Sequence, residues 1–135
     1  MPKAFVDTNV FFYAIDGSDS HKQTKAIALL TTLAQKGTGR ISTQVAMELA
    51  ANLVKKLGLS PEHARKLLVG LDDFVLIPTG SATVSRALEL MDQASLSFWD
   101  ATIVAAAASG GCDTLYTEDL SDGQVIAGVR ILNPF

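Results

Sequence analysis

The sequence predicts an α/β fold: a three-layer α/β/α sandwich built around a mostly parallel, five-stranded sheet. Short apolar blocks alternate with helical patterns along the whole chain, as in successive β-α units. The 135 residues contain no linker, low-complexity tract or internal repeat. We therefore expect one domain spanning residues 1–135, long enough to bury roughly 68% of its unfolded surface.

Five apolar blocks are predicted to be strands. The first contains Phe5 and Val6, residue types that favour β-structure, and the third is followed at once by Pro78. The predicted strands are Lys3–Asp7, Arg40–Ser42, Phe74–Ile77, Thr114–Tyr116 and Val129–Leu132.

Start and stop signals delimit the helices between these strands. Ser20 with Gln23 forms a capping box, and Ser60 before Pro61 is an N-cap followed by proline at the first helical position. The predicted helices are Val10–Ile15, Ser20–Lys36, Thr43–Leu57, Pro61–Leu71, one that begins at Ser81, and Ser97–Ser109. The residues predicted to face the core are Ile27, Leu30 and Ala34 in the second helix, Val45, Leu49, Leu53 and Leu57 in the third, and Val84, Leu88 and Met91 in the fifth.

Composition narrows the class of protein. No apolar run approaches the ~18 residues that a membrane span needs. The first residues reach Asp7 without a long apolar segment, which argues against a cleaved signal peptide. The single cysteine, Cys112, excludes an internal disulfide and is typical of a reducing compartment, so we expect a cytoplasmic protein. Cys112 is predicted to pack as a small apolar residue beside the fourth strand.

The net charge of −3 is unevenly distributed along the chain. Residues 1–86 carry ten basic and seven acidic residues, whereas residues 87–135 carry one basic and seven acidic residues. This balance argues against tight, metal-free, nonspecific binding of nucleic acid. Five basic residues are candidate contacts to a nucleic-acid backbone, although a solvated helix face is the favoured explanation for each one taken alone. They are Lys22, Lys25, Arg40, Lys55 and Lys56.

Four acidic residues lie at or just past the ends of apolar elements, where an α/β sheet forms its ligand crevice. They are Asp7, Glu48, Asp100 and Asp119. Carboxylates gathered in one crevice repel each other and partly protonate unless a cation compensates them. A cluster of oxygen ligands favours Mg²⁺ or Mn²⁺. The pattern therefore indicates a metal-dependent enzyme that acts on phosphodiesters.

Each acid also has a simpler explanation. Asp7 or Thr8 is a suitable cap for the first helix, and Glu48 fits a solvated helix surface. Acids such as Glu118, Asp119 and Asp122 are common in turns. Ser97 and Asp100 have the spacing of a capping box, but Asp100 also shares a helix face with apolar residues, which favours a functional role.

Other catalytic groups are missing from the sequence. It contains no Ser-His-Asp or Cys-His constellation, no phosphate-binding glycine-rich loop and no zinc-type spacing of Cys and His. His21 and His63 fall among polar residues near helix starts and are expected to face solvent. The chemistry must therefore rest on the carboxylates.

The ordered set Asp7-Thr8-Asn9, Glu48, Phe98-Trp99-Asp100-Ala101 and Thr117-Glu118-Asp119 resembles a PIN domain, most closely the VapC-type toxins of prokaryotic toxin–antitoxin pairs. The resemblance covers essentially the full chain. It implies a Mg²⁺- or Mn²⁺-dependent endoribonuclease, usually a homodimer, that is inhibited by a cognate antitoxin.

The resemblance also implies roles for individual residues. Asp7 and Asp100 correspond to the direct metal ligands, and Glu48 and Asp119 to the other two catalytic acids. The corresponding supporting residues are Thr8, Asn9, Thr117 and Asp122.

Two other classes of function stay open at this point. The first is a Mg²⁺-dependent phosphotransfer protein or phosphatase in which Asp7 accepts phosphate. That chemistry needs a second acid two residues away, where Asn9 stands, or a lysine near the last strands, whereas no lysine follows Lys66. The second is a non-catalytic module that binds RNA or a partner protein.

Overall fold

A computed structural model describes all 135 residues and contains one six-stranded sheet. The strand order is β3-β2-β1-β4-β6-β5, so β1 lies inside the sheet with β2 and β4 as its neighbours. The strands are β1 (Ala4–Val6), β2 (Gly39–Ser42), β3 (Val75–Ile77), β4 (Thr114–Tyr116), β5 (Val125–Ile126) and β6 (Val129–Leu132).

The sheet is parallel except for its last pair. β1 pairs in parallel with both β2 and β4, β2 with β3, and β4 with β6, whereas β5 runs antiparallel to β6. The predicted α/β class and mostly parallel sheet are thus confirmed. The predicted number of five strands is wrong because β5 contains only two residues, too few to produce a sequence pattern. It forms through a tight turn at Ala127 and Gly128, both with positive φ, as a two-residue hairpin of this type requires.

Helices cover both faces of the sheet, and most begin within one residue of the predicted start. The predicted capping box of Ser20 and Gln23 does not form, because Asp19 caps this helix and the Gln23 side chain donates to the backbone carbonyl of Ala14. Asp7, Asp19, Ser42, Ser60 and Ser97 each accept a backbone N–H at a helix start with the side chain. The helices are α1 (Thr8–Ile15), α2 (Ser20–Lys36), α3 (Thr43–Lys55), α4 (Pro61–Leu68), α5 (Ser81–Ala94) and α6 (Phe98–Ser109), with a 3₁₀ turn at Val69–Asp73.

The core is one apolar cluster between the sheet and its helices. The predicted core face of α3 is confirmed, since Val45, Leu49 and Leu53 are buried, although α3 ends at Lys55 before the half-buried Leu57. Cys112 is also buried, as predicted, and burial raises the pKa of its thiol to about 11.

The predicted core faces of two helices, α2 and α5, are right only in part. Leu30, Ala34 and Met91 are half-buried and pack against the core as predicted. Ile27 in α2 is 48% exposed, and Val84 and Leu88 in α5 are also exposed. α5 packs mainly against the alanine-rich α6, and α2 against α1, and these contacts bury residues adjacent to the exposed ones. The most buried residues are Ala26 and Leu33 in α2, and Thr83, Ala87 and Leu90 in α5.

The strand order determines where a ligand can bind. The chain passes from β1 to β2 on one side, whereas β4 and β6 lie on the other, so the order reverses between β1 and β4. Ligands of open α/β sheets bind outside the carboxyl ends of the strands at such a point. Asp7 follows β1 directly and Thr117 follows β4 directly, so both lie at this point.

None of the helices has the length and apolar character that a membrane-spanning segment needs.

Candidate active site

A crevice of about 290 Å³ opens at the carboxyl ends of β1 and β4. Helices α1, α3 and α6 and the segment after β4 form its walls, and the residues lining it are mostly polar. The acidic residues in this lining are Asp7, Glu48, Asp100, Glu118 and Asp119. The structure therefore brings together all four acids that the sequence singled out, from positions as far apart as 7 and 119.

Asp7 is the most buried of these acids, with 7% of its surface exposed. Its Oδ1 accepts the backbone N–H of Thr8 at 2.7 Å, and its Oδ2 accepts the hydroxyl of Thr117 at 2.8 Å. Asp7 thus also caps α1, as its simpler explanation proposed. The cap and a ligand-binding role are compatible, because a carboxylate has about four acceptor positions and the protein uses two of them.

Burial shifts the ionisation of Asp7. It raises the pKa of the carboxyl from 3.8 to about 6. The hydrogen bonds from Thr117 and Thr8 lower this pKa, while the charges of Asp119 and Glu48 raise it further. No lysine or arginine forms a salt bridge with Asp7. The ionised form, which predominates at neutral pH, is therefore uncompensated by any side chain.

Thr117 is the centre of a hydrogen-bond network beside Asp7. Its side chain is fully buried, and its hydroxyl oxygen accepts the backbone N–H of Asp119 at 3.1 Å and the Asn9 side-chain amide at 3.4 Å. The same Asn9 amide donates to Oδ2 of Asp119 at 3.0 Å. Asn9 therefore holds the Asp119 carboxylate at the crevice and Thr117 holds the Asp119 backbone, although Asp119 itself is exposed.

Glu48 reaches the crevice from α3. The apolar face of this helix docks it on the sheet, and Glu48 is half-buried at the edge of that face. Its Oε1 accepts the Thr8 hydroxyl at 3.0 Å. Thr8 therefore joins Glu48 to the start of α1, directly next to Asp7.

Asp100 stands in the first turn of α6 and behaves differently. Its backbone N–H donates to the Ser97 hydroxyl at 3.2 Å, so half of the expected capping box forms. The other half is absent, because the Asp100 carboxylate makes no hydrogen bond within the protein. This half-buried carboxylate lines the crevice with both oxygens free.

Two acids after β4 have other partners. Glu118 lines the crevice, but its Oε1 accepts the Tyr13 hydroxyl at 2.7 Å and its Oε2 pairs with Nζ of Lys22 at 2.8 Å. Asp122, predicted as a supporting residue, lies outside the crevice lining and accepts the backbone N–H of Asn133 at 2.8 Å. Asp122 thus braces the segment before β5 against the end of β6.

Sequence reasoning missed several residues of the crevice. Gln44 donates to the backbone carbonyl of Trp99 at 3.4 Å, which ties α3 to the start of α6. Trp99 is 65% exposed at the rim and packs edge-to-face on Phe98. The signal available in the sequence is a tryptophan directly before an acid that is predicted to belong to the site. The other crevice residues that the sequence does not predict are Phe12, Tyr13, Asn52 and Ile103, whereas Lys56 is one of the basic residues named above.

The donor set suits a hard cation. It consists of carboxylate, hydroxyl and amide oxygens, without cysteine or histidine, and Oδ1 of Asn9 is buried with no hydrogen-bond partner. No three of the acids converge closely enough to enclose an ion by themselves. A cation beside Asp7 would therefore keep several waters in its coordination sphere, as Mg²⁺ commonly does.

This chain belongs to the PIN domain family, whose family profile matches residues 4–121. Among curated proteins, none matches the sequence significantly.

Solved structures with the same fold cover nearly the whole chain. A toxin–antitoxin complex from Klebsiella pneumoniae is 22% identical over 98% of both chains, with a TM-score of 0.75. DNA-bound VapBC from Salmonella typhimurium is 21% identical over 100% of both chains, with a TM-score of 0.71. The Mycobacterium tuberculosis toxin VapC20, which cleaves the sarcin–ricin loop, is 19% identical over 84% of this chain and 87% of its own, with a TM-score of 0.64.

Proposed function

We propose that this protein is a metal-dependent endoribonuclease of the VapC toxin type. The observation that carries the proposal is the placement of Asp7. This buried acid, with a raised pKa and no cationic partner, shares its crevice with four other acids. Such a cluster is unfavourable in isolation and becomes favourable when a divalent cation binds there. Membership of the PIN domain family supports the same conclusion.

Asp7 and Asp100 are the proposed metal ligands, one from each side of the crevice. Glu48 and Asp119 complete the acidic lining, acting directly or through bound water. When bound, Mg²⁺ or Mn²⁺ supplies positive charge for the substrate phosphate and makes hydroxide available from water near neutral pH. The free oxygens of Asp100 and the two unused acceptor positions of Asp7 are the chain's contribution to holding the ion.

The remaining polar residues position these acids. Thr117 and the Thr8 backbone orient Asp7, Asn9 orients Asp119, and the Thr8 hydroxyl orients Glu48. Glu48 or Asp119 accepts a proton from the attacking water as its oxygen bonds to phosphorus. The bond from phosphorus to the 3′ oxygen breaks, and this oxygen leaves with the electron pair and takes up a proton from solvent water. The products carry 5′-phosphate and 3′-hydroxyl ends.

The proposal includes protein partners. Structures with this fold come from toxin–antitoxin complexes, so we propose a cognate antitoxin whose peptide enters the acidic crevice, and a homodimer as the state of the toxin. An apolar cleft beside the crevice supports a protein partner. It is lined by Met47, Val84, Phe98 and Trp99, and two of these, Met47 and Trp99, are about two-thirds exposed.

Incubation of antitoxin-free protein with total RNA in Mn²⁺ or Mg²⁺ tests this function. We expect discrete RNA fragments that disappear with EDTA and in Asp7→Ala. Fragments that persist in both controls would show that the cleavage needs neither a divalent metal nor Asp7, which contradicts the proposal. Metal binding without cleavage of any RNA would also contradict it, and absence of both would favour the binding module.

Phosphotransfer through Asp7 is less favoured by the geometry. Both carboxylate oxygens of Asp7 already accept hydrogen bonds, and only 7% of its surface is exposed. Incubation with acetyl phosphate separates the two activities. We expect no aspartyl phosphate on Asp7 by mass spectrometry, whereas a stoichiometric adduct absent from Asp7→Asn would favour phosphotransfer.

A further inference from the structure

The structure distinguishes among the five basic residues considered above as contacts to a nucleic-acid backbone. Lys22 is paired with Glu118, and Arg40 donates to the backbone carbonyls of Gly37 and Gly39 at the start of β2, at the opposite end of the sheet from the crevice. Lys25 donates to the backbone carbonyl of Phe135. Of the five, only Lys56 lines the acidic crevice.

Lys56 follows the last residue of α3 and is exposed. It makes no salt bridge, although five acids line the same crevice, so its ammonium is more than 4 Å from each of them. Instead, Nζ of Lys56 lies over the ring of Phe12, 5.4 Å from the centroid, and Phe12 also lines the crevice. The ring favours a cation at this wall without neutralising its charge.

We infer that Lys56 binds a phosphate of the RNA strand next to the phosphate that is cleaved. This inference rests on the proposed ribonuclease function and names the side chain that holds the substrate. A strand that enters an acidic crevice meets repulsion at every phosphate that the metal does not contact. An unpaired ammonium with three donors, on the wall of that crevice, offsets the repulsion at one such phosphate.

The neighbouring Lys55 provides a matched control. Lys55 ends α3, is exposed, forms no salt bridge and does not line the crevice. Replacing either lysine with alanine changes the net charge of the protein by the same amount. A difference between the two variants therefore reports position in the crevice and not overall charge.

Binding of fluorescently labelled oligouridine, measured by anisotropy over a series of KCl concentrations in Mg²⁺, tests the inference. All variants carry Asp100→Asn, so that the RNA stays intact under the proposed mechanism. We expect Lys56→Ala to weaken binding about three- to tenfold at low salt and to reduce the slope of log K against log[salt] by about 0.7, the value for one lost contact on a single strand. Lys56→Arg retains the slope.

Lys55→Ala is expected to bind as the parent protein does. Equal effects of Lys55→Ala and Lys56→Ala on affinity and slope would overturn the inference, as would an unchanged slope in Lys56→Ala. Thermal unfolding of each variant verifies the fold. The experiment measures binding and not cleavage, so the inference and the ribonuclease function can fail separately. RNA that binds through Lys56 but is not cleaved by the protein with its native Asp100 would contradict the ribonuclease function and leave the phosphate contact intact.

Discussion

The two proposed metal ligands occupy contrasting surroundings. Asp7 is buried between β1 and α1, and each of its oxygens accepts a hydrogen bond from the protein. Asp100, on the first turn of α6, is half-buried, and its carboxylate accepts none. Burial raises the pKa of Asp7 to about 6, at a cost to the folded state at neutral pH.

This contrast indicates that the two sides of the crevice differ in how rigidly they hold their acids. The Asp7 side, with Thr117, Asn9 and Asp119, is fixed before any ligand arrives. The Asp100 side is free to adjust its rotamer to a cation and its waters. A buried acid held in place, such as Asp7, destabilises the folded protein when no metal is bound, whereas an adaptable acid such as Asp100 destabilises it little. Substitutions on the two sides should therefore share one effect and differ in others.

The largest expected effect is common to both sides. Asp7→Asn and Asp100→Asn each remove a proposed ligand charge without changing side-chain size. We expect RNA cleavage to fall at least about 100-fold in either variant, because metal-bound charge contributes several kcal/mol to the transition state. Initial rates in Mg²⁺ measure this loss. An Asp100→Asn cleavage rate within a few-fold of the rate of the unsubstituted protein would show that Asp100 is not a metal ligand.

The free energy of unfolding should respond differently to substitutions at Asp7 and at Asp100. The pKa of Asp7 rises from 3.8 to about 6, so folding favours its protonated form, and the protein loses stability as pH rises through this window. Asp7→Asn should therefore be more stable by about 3 kcal/mol at pH 8 without metal, and most of this gain should be lost near pH 4. Asp100→Asn should change stability by less than about 0.5 kcal/mol at either pH.

Urea unfolding at the two pH values measures this difference. An Asp7→Asn gain that is equal at pH 4 and pH 8 would show that ionisation of Asp7 is not its cause. A loss of stability at pH 8 would contradict the destabilised state assigned to Asp7.

A smaller effect is expected from the network that holds Asp7. Thr117→Val keeps the side-chain shape but removes the hydroxyl that donates to Asp7 and accepts from Asp119. We expect a loss of about 1–2 kcal/mol in the free energy of unfolding at pH 8, since a buried acceptor loses its donor. The pKa of Asp7 should rise further, which moves the acid limb of the pH–rate profile upward.

Thr117→Ser is the matched control and should restore both properties in large part. A Thr117→Val variant whose pH–rate profile is unchanged would indicate that the hydroxyl serves packing alone.

The smallest effect concerns Glu118. Tyr13 donates a hydrogen bond to one of its oxygens and Lys22 to the other, so the charge of this acid is already compensated by Lys22 although it lines the crevice. We expect Glu118→Gln to change the cleavage rate by less than about threefold, within the modest range of a partly exposed ion pair. A loss as large as that of Asp100→Asn would make Glu118 a member of the metal site.

The fold class and the strand ends are predictable from the sequence because they depend on local apolar blocks and caps. Asp7 was identifiable since it follows a strand and opens a helix. The pairing of Glu118 with Lys22 was not, because it joins residues 96 positions apart. The buried faces of α2 and α5 depend on which neighbouring helix each meets, and Lys56 became distinctive only once α3 had placed it at the crevice.

Calorimetric titration of the metal-free protein with Mg²⁺ at pH 6 and pH 8, in buffers of different ionisation enthalpy, tests the central claim most directly. With the pKa of Asp7 at about 6, we expect metal binding to release about half a proton at pH 6 and almost none at pH 8. Asp7→Asn should abolish the release. Binding without proton release at pH 6, or no binding at all, would contradict a metal site built on Asp7.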